Sequence, residues 1–206
     1  NGDGVKAQFA TSLERFGLDH VDLYQAHAVT SVDELDARAD AFDAIFQARD
    51  QGLCRWVGIT GHDMTAPATF LEALKRYDLD TVMFPVYARL WADAEYRATA
   101  EELLAVCADR DVGVMAIKAV ARRRWTDDDH PTSPWYEPWR ADLDVSRGIR
   151  FTLSTPGVQA FCTPGDLGLL PTVLAAAQDV SPMAADERTA AVQVMSDEAP
   201  IFPMRQ

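Results

Sequence analysis

Short apolar runs rich in β-branched residues alternate along the chain with longer stretches of helical periodicity, and this alternation limits the fold more than any other feature. The short runs are almost continuously apolar, which is typical of strands buried on both faces. Such alternation predicts an α/β fold with parallel strands joined by crossover helices. The predicted strands are 21–26, 55–59, 81–84, 112–117 and 158–162, and the predicted helices are 5–16, 32–51, 65–76, 93–110, 143–153, 167–178 and 183–196.

Two architectures fit this pattern, an open doubly wound sheet and a (β/α)8 TIM barrel. Neither GxGxxG nor GxxxxGK follows a predicted strand, although an open sheet usually carries such a turn. The sequence therefore favours a barrel, here a partial barrel of about five βα units. Because five strands cannot close a barrel of eight, we expect residues 1–206 to form a single domain whose N-terminal strands are missing, supplied by a longer protein or a second chain.

The charge balance excludes some classes of partner. The 206 residues include 19 Lys and Arg against 32 Asp and Glu, a formal net charge of −13. Such a surface repels nucleic acid and anionic lipid, and no apolar run reaches the roughly 18 residues of a membrane span. The three cysteines are far apart without zinc-ligand spacing, so neither a metal site nor a disulfide framework is predicted. We expect a cytoplasmic location, because the first residues lack the layout of a signal peptide.

Polar or small residues follow every predicted strand. Active sites of (β/α)8 barrels lie at the carboxyl ends of the strands, so these residues are the candidates for chemistry. Strand ends are also where solvent begins, which explains part of the pattern. The residues are His27, then Thr60 to Asp63, then Tyr87, then Lys118, then Thr163 to Asp166.

Four segments match a family pattern in order and spacing over nearly the whole chain. Residues 12–27, SLERFGLDHVDLYQAH, match SLxRLGxDYxDLYxxH, the most specific of the four. Residues 52–60 match GKxRxxGxS, residues 111–120 match GIGVxAxxPL, and residues 151–165 match RFxLSxPGVxxxIPG. In these segments the chain resembles the aldo-keto reductase family, from its fourth to its eighth βα unit.

The resemblance implies an oxidoreductase that uses NADP or NAD and a small-molecule carbonyl substrate. His27 matches the active-site histidine of the family, whose imidazole donates a hydrogen bond to the substrate carbonyl oxygen and polarises it for hydride attack. The alternative is a core histidine whose ring nitrogens are satisfied within the protein. Whether the protein forms a homo-oligomer stays open.

The resemblance also implies a wall of cofactor contacts. Thr60 and Gly61 fall where the family usually places a Ser-Asn pair that holds the nicotinamide carboxamide, and Gly61 lacks that amide. His62 either reaches the same pocket or caps the following helix. Phe84 stands where many members have glutamine. Tyr87 fits a family tyrosine that contacts the cofactor, although packing at the mouth of the barrel explains it equally well.

Phosphate contacts are expected near the last two strands, where barrels of this class commonly bind phosphate. Lys118 offers a point charge, and Thr163, Gly165 and Asp166 are expected to open a helix whose amides face an anion. Asp166 would repel a 2′-phosphate, so the choice between NADP and NAD stays open. The run Arg122 to Arg124 is either a further phosphate contact or a solvated loop.

The aspartate, tyrosine and lysine of the family site lie on or after its first three strands, which have no counterpart here. We therefore expect the full-length protein to carry the activity and this chain alone to be inactive. The alternative is a non-catalytic barrel relative that acts as a binding or regulatory protein. The Trp-rich connection 122–140 either walls an apolar substrate pocket or packs over the barrel.

Overall fold

The computed structural model describes residues 1–126, 134–178 and 181–202 of the chain. Its strands are β1 (Val21–Ala26), β2 (Cys54–Thr60), β3 (Thr81–Pro85), β4 (Gly113–Ile117), β5 (Ala121–Arg124), β6 (Tyr136–Pro138) and β7 (Ala160–Phe161). Its helices are α1 (Gly2–Phe16), α2 (Val32–Ala37), α3 (Ala39–Asp50), α4 (Ala66–Arg76), α5 (Ala88–Trp91), α6 (Ala94–Asp109), α7 (Asp142–Leu153), α8 (Leu170–Gln178) and α9 (Ala185–Met195).

The main sheet is parallel and has the order β1-β2-β3-β4-β7. Its register pairs Ala26 with Ile59 and Thr60 with Met83, so the carboxyl ends of neighbouring strands meet along one edge. The predicted α/β fold with parallel strands is thereby confirmed. Within the described residues, β1 and β7 lie at the two borders of this sheet, each paired with one neighbour.

The two faces of the sheet differ in how they are covered. Val57, Ile59, Val82 and Phe84 alternate along β2 and β3 on the face that the helices cover, and each is 0% exposed. The Phe70 ring of α4 packs edge-on against Phe84. Alternation along a strand places its intervening residues on the opposite face. That opposite face is the less completely covered one.

Trp56, Thr81 and Met83 belong to the opposite face, and Trp56 is 45% exposed. Gln25 of β1 donates a hydrogen bond to the Thr81 hydroxyl at 3.1 Å, and the Cys162 thiol lies 3.9 Å from the Met83 sulfur. The contacts that cross this face are therefore sparse and partly polar.

Local signals explain several helix boundaries. The Asn1 side chain accepts the Gly4 N–H at the start of α1, and Gly17 ends that helix with a φ of 66°. Gly52 follows the predicted helix 32–51 and has a φ of 74° after α3, a left-handed conformation that glycine adopts readily. The predicted helix 32–51 is divided at Arg38, where the backbone leaves helical geometry at φ −113°. The prediction of one continuous helix there is wrong.

The Trp-rich connection contains an antiparallel pair that the sequence did not predict. Strands β5 and β6 pair Arg124 with Tyr136 and Ala121 with Pro138. Carboxylates stabilise this pair: Arg122 binds Glu137 at 2.8 Å and Glu198 at 2.5 Å. Residues 127–133 of the connection lie outside the described residues.

Candidate active site at the carboxyl ends of the strands

A pair of histidines marks the strand ends. His27 follows β1 and is exposed, whereas His62 follows β2 and is partly buried. Their Nε2 atoms lie 2.8 Å apart, and the rings meet edge-on with centroids 4.9 Å apart. The sequence left two roles for His62, which were to reach the cofactor pocket or to cap the following helix. The structure places the His62 ring beside His27, the candidate catalytic residue. His27 is a strand-end residue and not a core histidine.

The backbone around His27 is fixed by neighbours from two elements. The Arg38 guanidinium donates to the His27 carbonyl at 3.0 Å and to Glu34 at 2.7 Å. Ala28 has a φ of 55°, a left-handed conformation that is uncommon for alanine. Its N–H donates to the Thr60 hydroxyl at 3.1 Å. The helix break at Arg38 therefore contributes a guanidinium that anchors the strand end.

Thr60 contributes a hydroxyl group to this arrangement, whereas Gly61 contributes only backbone. Because the Thr60 oxygen accepts the Ala28 N–H, its own proton is available for a further acceptor. Gly61 is buried, and a Cβ there would lie 2.8 Å from the Ala66 Cβ and 2.9 Å from the Phe70 ring. The packing of α4 thus requires glycine, and the side-chain amide that the family pattern places here has no room.

Lys118 directly follows β4 and is partly buried. Its Nζ lies 4.7 Å from the centre of the Tyr136 ring and 5.0 Å from that of Trp135, and its backbone is left-handed at φ 73°. Burial lowers the pKa of the Lys118 amine to about 8, and the nearby Cys162 thiol opposes that shift. The Trp-rich connection therefore packs over the predicted phosphate-binding residue.

Tyr87 is buried rather than presented to a ligand. It is 1% exposed, and burial raises the pKa of its hydroxyl. The hydroxyl faces the Ile201 backbone but lies outside hydrogen-bonding geometry with any described residue. In this conformation the position of Tyr87 agrees with the packing interpretation and not with a cofactor contact.

The loop after β7 differs from the expected anion site. Thr163 and Gly165 are exposed, whereas Asp166 is 5% exposed and binds Arg140 at 2.7 Å. The Asp166 carboxylate also accepts the Gly168 N–H at 2.9 Å. Helix α8 begins only at Leu170. The expectation that these residues directly open a helix is wrong, because Asp166 uses an amide of the intervening turn.

The same contacts set the charge of Asp166. Burial alone raises the pKa of this carboxyl, but the Arg140 guanidinium and the Gly168 N–H outweigh it, so the pKa lies below its ordinary value. The carboxylate is therefore charged and compensated by Arg140. This pairing weakens the repulsion that an unpaired Asp166 would exert on a phosphate.

The arginine run is neither a free phosphate contact nor a solvated loop within the described residues. Arg123 binds Glu137 at 2.7 Å, and Arg124 donates to the Ile201 carbonyl at 2.8 Å. Together with the Arg122 pairs, these contacts fasten the β5–β6 pair to the segment around Glu198. Both sequence interpretations of the run omitted this role, since its partners lie far away in the chain.

The part of the chain that the structure describes contains neither a metal-binding cluster nor a membrane-spanning helix. Within residues 1–126, 134–178 and 181–202, no group of three or more His, Cys, Asp or Glu residues is arranged to hold a metal ion. Across the same part of the chain, no helix combines the length and the apolar character that crossing a membrane requires.

A parallel sheet that is covered by helices on one face and ends in polar side chains defines the chain as an α/β protein. The chain belongs to the Aldo/keto reductase family, whose sequence profile matches residues 2–185. The family that the sequence motifs indicated is thereby confirmed.

Curated relatives match parts of the chain. A D-threo-aldose 1-dehydrogenase of Pseudomonas sp is 34% identical over 113 residues, which cover 55% of this chain and 32% of that protein. An uncharacterized oxidoreductase of Bacillus subtilis, YqkF, is 27% identical over 125 residues, or 60% of this chain and 36% of that protein. The chain thus matches about a third of each relative's length.

Solved structures share the fold. An aldo-keto reductase from Bacillus halodurans in its holo form has a TM-score of 0.66 at 18% identity, over 97% of this chain and 69% of that one. A Bombyx mori aldo-keto reductase in complex with NADP has a TM-score of 0.62 at 17% identity, over 97% of this chain and 65% of that one.

Proposed function

We propose that the full-length protein is an NADP- or NAD-dependent oxidoreductase that transfers a hydride between the nicotinamide and an aldehyde or ketone. The observation that carries this proposal is the position of His27. It ends the strand whose segment matches the family most specifically, and it shares the strand-end edge with Thr60 and Lys118. The relatives named as a dehydrogenase and an oxidoreductase favour this activity over a purely binding or regulatory role.

In this proposal His27 orients and polarises the carbonyl. A neutral imidazole with its proton on Nε2 donates a hydrogen bond to the carbonyl oxygen, and that bond strengthens as negative charge develops on the oxygen. Arg38 and Thr60 both hold the peptide unit between His27 and Ala28, so the ring is presented from a fixed strand end. Fixing the ring in advance lowers the cost of orientation when the substrate binds.

The strand-end residues fit a nicotinamide dinucleotide in part. The nicotinamide supplies the hydride when it is bound. Among the described residues Lys118 has no carboxylate near its amine, the buried Thr60 retains a proton to donate, and Thr163 and Gly165 are exposed in the loop after β7. Gly61 has no side-chain amide, Tyr87 is buried in this conformation, and the Asp166 carboxylate is already paired with Arg140. We propose Thr60, Lys118, Thr163 and Gly165 as the cofactor contacts.

We also propose that this chain supplies the fourth to eighth βα units of a (β/α)8 barrel and forms one domain with the strands that complete it. Three observations support this. The sheet has two borders at β1 and β7 among the described strands, Trp56 on its less covered face is 45% exposed, and the Bacillus halodurans structure is matched over only 69% of its length. Residues 1–206 alone should then be inactive.

The test measures consumption of NADPH and of NADH with a panel of aldehydes. The full-length protein is compared with residues 1–206 and with His27→Ala in the full-length protein. We expect turnover by the full-length protein, a loss of about a hundredfold or more in His27→Ala, and none by residues 1–206. A His27→Ala variant as active as the wild type would overturn the role of His27, and turnover by residues 1–206 would overturn the partial barrel.

A further inference from the structure

The contact between His27 and His62 has only a few permitted protonation states. A hydrogen bond between two imidazole nitrogens needs a proton on one and a lone pair on the other. At 2.8 Å between the two Nε2 atoms, both cannot carry a proton. The pair therefore holds one proton on its inner side, and the surroundings decide which ring carries it.

The charged and titratable groups around His62 favour its neutral form. His62 is partly buried, with His27 on the β1 side, Lys118 at the end of β4, and Asp63 next to it in the chain. Burial lowers the pKa of the His62 imidazole, His27 and Lys118 lower it further, and Asp63 opposes them. His27 is the exposed ring of the pair, so a carbonyl oxygen can take the shared proton as acceptor only when His27 is the donor.

We infer that His62 is a positioning residue for His27: its Nε2 accepts the Nε2 proton of His27, fixes the His27 tautomer that polarises a carbonyl, and competes with the carbonyl oxygen for that proton. The inference rests on the proposed function, since the competing acceptor is the proposed substrate. It assigns to His62 a Nδ1-protonated tautomer. When substrate binds, the carbonyl oxygen replaces His62 as the acceptor of the His27 proton.

The exchange has a measurable consequence for substrate affinity. A carbonyl oxygen that reaches His27 must replace His62, so binding loses the His27–His62 hydrogen bond. Removing that bond beforehand should lower KM by about two- to tenfold, the factor that corresponds to the net strength of one protein hydrogen bond. A purely structural role for His62 would instead raise KM.

The kinetic experiment uses the full-length protein with NADPH and benzaldehyde. His62→Phe removes the acceptor and keeps an aromatic ring, and we expect its KM to fall while kcat changes less. His62→Gln restores a side-chain acceptor, so its KM should return towards the wild-type value. His20→Gln, at an exposed histidine bound to Asp19, is the matched control. A KM that rises in His62→Phe, or equal values in both His62 variants, would overturn the inference.

A second measurement does not depend on turnover and so separates this inference from the proposed function. Long-range 15N–1H correlation spectra of histidine-labelled protein report which ring nitrogen carries the proton. We expect His62 to be protonated on Nδ1 in the wild type and to lose that preference in His27→Ala. A His62 protonated on Nε2 in the wild type would contradict the inference, whether or not the protein turns over aldehydes.

Discussion

The two faces of the parallel sheet differ in how completely they are buried and in the polarity of their contacts. On the helix-covered face, Val57, Ile59, Val82 and Phe84 are 0% exposed and interlock with the helices. On the opposite face, Trp56 is 45% exposed and Gln25 reaches Thr81 across a polar contact. Stability therefore resides mainly in the helix-covered face, whereas the polar groups that can do chemistry collect where the opposite face meets the strand ends.

The largest expected effect breaks the helix-covered face. Phe84→Ala removes a fully buried ring that packs on Phe70, and we expect the free energy of unfolding to fall by about 3–5 kcal/mol. Urea denaturation of residues 1–206, followed by circular dichroism, measures it, because the strands that complete the barrel would themselves cover the opposite face. Trp56→Ala, on the opposite face, is the matched control and should cost clearly less. Equal losses in the two variants would remove the distinction between the faces.

The next effect concerns Gly61, which follows β2 at the strand ends and packs against α4. Gly61→Asn restores the family side chain, but its Cβ would press on Ala66 and Phe70, so we expect a loss of about 1–3 kcal/mol of stability from overpacking. The same denaturation experiment measures it. If the variant were as stable as the wild type and bound NADPH more tightly, packing would not explain the glycine.

A smaller effect is expected where the β5–β6 pair is fastened to the segment around Glu198. Glu198→Gln keeps the size of the side chain but removes the charge that Arg122 and Arg123 share. The thermal midpoint should fall less than in Gly61→Asn, and the difference from wild type should shrink in high salt because salt screens partly exposed ion pairs. Glu187→Gln, which removes a weaker pair with Arg150 at 3.4 Å, is the comparison.

The last effect on stability is expected at Lys118, which lies among the polar strand-end residues, and it depends on pH. Its folded-state pKa of about 8 lies below the ordinary value of 10.5, so the unfolded chain binds the proton more readily. The Lys118 contribution to the free energy of unfolding should therefore rise as pH climbs from about 8 towards 10.5. Subtracting the pH profile of Lys118→Met isolates this contribution from the tyrosines and cysteines that titrate in the same range.

A rise in pH should strengthen folding through Lys118 but weaken cofactor binding through the same residue. If its ammonium contacts a phosphate, the dissociation constant for NADPH should increase as pH rises through about 8, because the charge is lost. Titration by nicotinamide fluorescence measures it in the full-length protein. In Lys118→Met that pH dependence should disappear. An unchanged profile in the variant would exclude Lys118 as the phosphate contact.

Local pattern predicted the helix-covered face well. The predicted strands 55–59 and 112–117 agree with Cys54–Thr60 and Gly113–Ile117 to within one residue at each end. Gly52 ends its helix as its left-handed preference indicates. These features depend on neighbours in the chain, and for that reason the sequence alone could predict them.

The site depended on distant contacts and was predicted less completely. Strand β5 is largely a run of arginines without apolar alternation, and it is stabilised by Glu198, 76 positions from Arg122. The approach of His62 to His27 follows from the register of β1 with β2, which pairs Ala26 with Ile59. The sequence contained a signal for it, a histidine after each of two strands, but not the register that joins them.

The central claim is that the strand-end site of the full-length protein directs hydride transfer to a carbonyl. The most direct test supplies NADPH deuterated at C4 of the nicotinamide together with benzaldehyde and examines the alcohol by mass spectrometry. We expect one deuterium on the alcohol carbon with wild-type protein and little product with His27→Ala. Alcohol formed without deuterium from either nicotinamide face, or no alcohol at all while NADPH binds, would contradict it.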